Sequence, residues 1–210
     1  MCIRDRVDIT SPVNIVDVSV ILTGQSLSVT GNGSVGGTFS SASTLTVNTA
    51  NVAAAIVNGT GAGWGNIGTS TVPFRTVFSV SSTAVYADLA EKYLSDTDYA
   101  PGTVVVFGGT HEITISTADH DSSVAGVISS NPAYTMNNGI EGLPIALQGR
   151  VPCQVQGPIA KGDLVVTSNV PGVAQKLDLS KWRPGCVIGK SLEQINDNSI
   201  VMIEVVVGRN

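Results

Sequence analysis

Between residues 101 and 208 the sequence is a series of short apolar runs, each stopped by glycine, proline or asparagine before it reaches the length of a helix. Runs of four to eight residues rich in Val and Ile, bounded by turn formers, read as β-strands. The pattern predicts strands over 103–107, 112–116, 124–129, 143–148, 151–156, 163–167, 173–176, 186–192 and 199–207. Gly108-Gly109, Asn131-Pro132, Asn137-Asn-Gly139, Gly157-Pro158 and Pro171-Gly172 supply the breaks. A chain punctuated in this way is restricted to all-β architecture, here a β-barrel-like domain over residues 84–210.

The same region repeats itself. Pro101-Gly-Thr-Val-Val-Val-Phe107 resembles Lys161-Gly-Asp-Leu-Val-Val-Thr167 at an offset of 60. Gly126-Val-Ile-Ser129 resembles Gly185-Cys-Val-Ile-Gly189 at 59 to 60, and Pro144-Ile-Ala-Leu147 resembles Ile200-Val-Met-Ile203 at 56. Three matches in one order predict two similar halves packed as one barrel-like unit.

Residues 7–60 differ in character. They are nearly free of charge, and Val16-Asp-Val-Ser-Val-Ile-Leu22, Gln25-Ser-Leu-Ser-Val-Thr30 and Thr44-Leu-Thr-Val-Asn48 alternate with period two. About one residue in three is large and apolar. Burying one is worth roughly 1.5–3 kcal/mol, and fixing each residue's backbone costs roughly 1–2 kcal/mol. Such a segment needs partner chains or stacked repeats, and it reads as an elongated β shaft rather than a flexible linker. Residues 61–83 form a Gly-rich hinge, in which Trp64, Phe74 and Phe78 read as core or inter-chain anchors. Residues 84–94 are rich in good helix formers, with Asp88 and Lys92 four apart, and predict the one short helix. Met1-Cys-Ile-Arg-Asp5 translates the end of a transposon used to prepare sequencing libraries (ATG-TGT-ATA-AGA-GAC). Residues 1–6 are therefore expected to be a non-native leader, with the natural protein continuing upstream.

Composition excludes several functions. Eleven basic against 16 acidic residues give a net charge of −5, which argues against a nucleic-acid partner. Charged residues make up 13%, against about 25% in an ordinary soluble domain. No run of 18 apolar residues occurs, so no membrane insertion is expected. Cys153 and Cys186 fall inside predicted strands and read as buried thiols.

Little in the sequence points to catalysis. Asp119-His120-Asp121 looks metal-like in composition, but no Cys or His spacing completes a ligand set, so it reads as a solvated loop. No cofactor or metal is expected. Gly61-x-Gly63-x-x-Asn66 lacks the strand and helix that a dinucleotide turn requires. Asp88 and Glu91 read as a solvated pair on the short helix.

Tyr86-Ala-Asp-Leu-Ala-Glu-Lys-Tyr93 resembles the opening of a C-terminal domain found in bacteriophage tail fibres and neck appendages, Ala-Asp-x-Ala-Glu followed by an aromatic residue. Pro101-Gly-Thr-Val-Val105, Gly126-Val-Ile-Ser-Ser-Asn-Pro132, Gly149-Arg-Val-Pro-Cys-Gln-Val155 and Lys161-Gly-Asp-Leu-Val-Val166 continue the likeness in order, as does Gly65-Asn-Ile-Gly68 through Phe78 before them. It covers about residues 61–208. The resemblance implies a homotrimeric fibre in the virion, assembled in the host cytoplasm, with other virion proteins and a host surface receptor as partners. Its C-terminal domain would act as an intramolecular chaperone that sets strand register. In some relatives that domain cuts itself off. Carried over, the cut would fall around Ser81-Ser-Thr-Ala84, with Ser82 as nucleophile and Asp88 or Glu91 as acid or base. This sequence departs from the cleaving pattern: Leu89 stands where an aromatic is usual, and no Asp-Gly precedes the motif. The alternative of another class is a capsid decoration or head-fibre module, which also carries Gly-Asp-x-Val strands.

Overall fold

Val104-Val105-Val106 is buried at all three positions, although a strand with one solvent face would alternate. The reason is that its two faces feed different cores. Val105 packs with Ile113, Ile128 and Ile145, whereas Val104 packs with Val127, Val151, Val155 and Val205. Val165 and Val166 divide in the same way between two clusters. A sheet that curls on itself twice produces this pattern.

The computed structural model describes residues 67–208. The expected leader and shaft lie outside the described residues. The chain divides between Phe74 and Arg75, inside the expected hinge. The second unit carries ten strands: β1 (Asp88–Tyr93), β2 (Val104–Phe107), β3 (Ile113–Ile115), β4 (Val124–Ile128), β5 (Tyr134–Met136), β6 (Leu143–Gln156), β7 (Leu164–Thr167), β8 (Ala174–Lys176), β9 (Val187–Ser191) and β10 (Ile200–Val207). The one helical turn among the described residues is a 3-10 turn, Leu179–Lys181.

The all-β reading and the barrel are borne out. The C-terminal half of β6 pairs with β8, β8 with β7, β7 with β9, β9 with β10, and β10 again with β6, closing a five-stranded barrel. The N-terminal half of β6 takes part in a second ring. It pairs with β4, β4 with β2, β2 with β3, and β1 returns to β6. A single parallel bridge between Ser95 and Ile113 joins β3 to the end of β1. β5 lies off both rings, parallel to β1.

The two rings are copies. β1, β2, β3, β4 and the first half of β6 correspond to the second half of β6, β7, β8, β9 and β10, with every pairing of the same sense. Thr103 N–H donates to Ala100 C=O and Asp163 N–H to Ala160 C=O, each across a turn with glycine at positive φ, Gly102 and Gly162. Both halves also carry a bulge at one place. Register slips between Val105 and Val106 against β4, and between Val165 and Val166 against β9. A glycine sits beside each bulge, and a Cβ there would lie 2.8 Å from Ala146 O at Gly126 and 2.0 Å from Val206 O at Gly189. The structure thus corrects the sequence alignment. Gly126 matches Gly189 rather than Gly185, and Ile145 matches Val205 rather than Val201, because ladder position and not letter identity defines the repeat. The halves also share a strand instead of forming one barrel.

The helix expected over 84–94 is absent. Asp88–Tyr93 is a strand, antiparallel to β6 and parallel to β5. Its alanines fit a narrow seam: Ala90 is fully buried opposite Ala146. Two ladders outweigh a propensity worth tenths of a kcal/mol per residue. The break expected between 148 and 151 is also absent, since β6 runs through Gly149.

Gly189→Ala is expected to lower unfolding free energy by about 2–4 kcal/mol, because strand separation is the only relief for its contact. Gly162→Ala, with no atom within 4 Å of the new methyl, costs about 1–2 kcal/mol from its left-handed backbone alone. Urea denaturation of both variants tests the order.

Candidate functional site

Where the chain enters β1 it is pinned on both sides. Ala87 C=O accepts from Arg150 N–H at 3.2 Å, and Asp88 C=O accepts from Ala133 N–H at 2.8 Å. Asp88 stands opposite Gly149, where a Cβ would come within 2.1 Å of Ala87 O, so only glycine permits the approach. Asp88 is 5% exposed, and its Oδ2 has no hydrogen-bond partner among the described residues. A buried acceptor in that state is a standing cost of about 1–3 kcal/mol.

Asp88 lines a cleft of about 250 Å³ together with Val85, Tyr86, Ser130, Arg150 and Glu204. Arg150 Nε lies 3.8 Å from Glu204 Oε2. Four separate stretches of sequence meet here: Val85 to Asp88, Ser129 to Asn131, Arg150 with Pro152, and Glu204. The first three belong to or adjoin motifs of the phage-fibre resemblance, and Glu204 does not. Arg150, Ser130 and Glu204 were not expected as site residues, although Ser130 lies in the Gly126–Pro132 motif and Arg150 in the Gly149–Val155 motif. A second cleft, about 170 Å³, is lined without any titratable side chain.

Of the three candidate cleavage residues, only Asp88 lines the cleft. Ser82 stands on the exposed approach to β1, in a stretch without strand pairing. Glu91 is three positions from Asp88 on a strand, hence on its opposite face, and accepts from Tyr93 O–H at 2.9 Å. The helix-face pair of Asp88 and Glu91 therefore does not form.

His120 departs from its expected solvated loop. It is 1% exposed, with φ +53°. Its Nε2 accepts from Asp178 N–H at 3.0 Å, so Nδ1 carries the proton and donates to Asp119 Oδ1. Asp119 also takes Lys181 Nζ at 2.7 Å and the Gln175 amide. The backbone of this loop is fixed by β7 and its exit: His120 N–H reaches Thr167 O, and Asp121 N–H reaches Thr167 Oγ1. Both imidazole nitrogens are engaged, so the ring holds the two halves together and has no lone pair for a metal or a substrate proton. The partners across the domain lie 46 to 62 residues away in sequence, beyond the reach of local pattern.

Among the described residues, no three His, Cys, Asp or Glu side chains gather where they could hold a metal ion. No described helix is long and apolar enough to cross a membrane. Cys153 and Cys186 are buried as expected, and burial pushes the Cys153 thiol up to about 12, which leaves it an unreactive core group. No protein-family model matches the chain, and no curated protein matches it.

Burial pushes the Asp119 carboxyl up, but Lys181 and His120 outweigh it and hold the group below its ordinary value of 3.8. A depressed carboxyl gives stability that is complete above the unfolded value and is lost as pH falls through the lower folded one. Asp119→Asn is expected to cost about 1–3 kcal/mol at pH 7 and to lose less than the parent on acidification to pH 3. Thermal melts at the two pH values check both.

Proposed function

We propose that this chain is the C-terminal part of a phage tail fibre, a structural virion protein whose double barrel folds and joins three copies of the fibre. The observation that carries the reading is the approach to β1. Val77, Phe78, Val80 and Val85 are all at least 73% exposed, and no strand pairs with them among the described residues. An apolar stretch of this kind, leading into a closed barrel, is what a strand looks like when its partners belong to other chains. The ordered motifs shared with tail-fibre domains give the second support, since three of them meet at one cleft.

In this reading the barrel is a clamp. It folds by itself, because its pairings close within one chain, and it holds the exposed segments of three chains at high effective concentration. The weakly apolar shaft sequence then finds its register from that end. Host contact and attachment to other virion proteins belong to the same proposal. Self-cleavage does not, because Ser82, Asp88 and Glu91 do not line one cleft.

Native mass spectrometry of the full 210-residue chain is expected to give an intact species of three chain masses. Two fragments divided between Ser81 and Ala84 would make the chain a self-processing chaperone. A stable intact monomer would overturn the trimer and favour the capsid decoration module.

A further inference from the structure

The cleft at β1 has an unbalanced charge. Asp88 and Glu204 bring two carboxylates and Arg150 one guanidinium. Asp88 Oδ2 is buried without a partner. The site therefore lacks one cation with hydrogen-bond donors, which a guanidinium supplies best.

The segment leading into the cleft carries one such group. Between Ile67 and Ala87 the only charged residue is Arg75. Among the described residues no strand pairs with residues 76–87, and Arg75 is exposed, so the chain's own ladders do not hold the guanidinium at its own cleft. Twelve residues reach at most about 40 Å, enough to cross to a neighbouring domain.

The surface beside the cleft matches the rest of the segment. On β10, Ile200, Met202 and Glu204 share one face at two-residue spacing, and Ile200 and Met202 are 47% and 48% exposed. In an extended strand Arg75 and Val77 also share a face at two-residue spacing. Laid antiparallel on β10, they bring the guanidinium to Glu204 and the Asp88 mouth while Val77 covers Met202.

We infer that the segment from Arg75 to Ala84 of one copy docks on the β10 face of a second copy, with Arg75 closing the acidic cleft at Asp88 and Glu204. This rests on the oligomer proposed above and names the contact that builds it. The exchange gives the buried carboxylate its missing partner and covers Val77 in one step. It also makes the contact head-to-tail, which closes into a ring when three copies each give and receive one segment.

The test uses two full-length chains in a Cys2→Ser background, one carrying Val77→Cys and the other, isotope-labelled, carrying Met202→Cys. After co-refolding and mild oxidation, a disulfide between unlike chains can arise only across the interface. The expected result is a cross-linked pair of one labelled and one unlabelled chain, reduced at least tenfold by adding Arg75→Glu to the first chain. Oligomers on native mass spectrometry without this cross-link would overturn the docking and leave the trimer standing. A cross-link indifferent to Arg75→Glu would overturn the role of Arg75 at the cleft. A monomer would remove both readings.

Discussion

The fold depends on one strand. β6 runs for 14 residues from Leu143 to Gln156 and pairs with β1 and β4 along its first half and with β8 and β10 along its second. It is the last strand of one ring and the first of the next. If it ended at Gln148, each ring would expose an open edge. Its inward residues show how the core is shared: Ile145 belongs to the first ring's cluster, while Ala146, Val151, Cys153 and Val155 belong to the larger one. The change of face occurs around Gly149, whose φ of +109° lets the ladder turn while the Asp88 backbone closes against it.

Because the rings are copies, the parts that differ between them stand out. The shared parts are the ladders, the bulge glycines and the Gly102 and Gly162 turns. The first ring adds β5, the Asp88 cleft and the His120 loop. The His120 loop fastens the first ring to the second through Asp119, Thr167, Gln175 and Asp178.

Much of the fold was legible in the sequence. The predicted strands fall within about a residue of those observed, because valine runs bounded by glycine and proline leave little choice. Misreadings came where a local signal had a distant competitor. Ala87 to Leu94 is composed like a helix, yet Ala90 is small because it faces Ala146 across a seam. Gly149 looks like a stop, yet it lies within a strand because β1 needs the space above it. Tyr134 to Met136 is too short to announce itself, and it pairs only because Ala133 reaches the Asp88 carbonyl. The cleft was half legible: its Asp88, Ser130 and Arg150 lay in motifs, but nothing in their spacing says that they meet.

The sequence by itself determined the all-β class, the positions of β2 to β4 and β7 to β10, the presence of two similar halves and the buried thiols, because all of these follow from period, punctuation and polarity along the chain. Tertiary structure alone decided that the two copies share β6, that His120 is buried with both nitrogens engaged, and that Asp88 faces a cleft without a partner. Each of those depends on which distant residue a ladder brings opposite, and pairing partners are set by closure of the sheet rather than by neighbours in sequence.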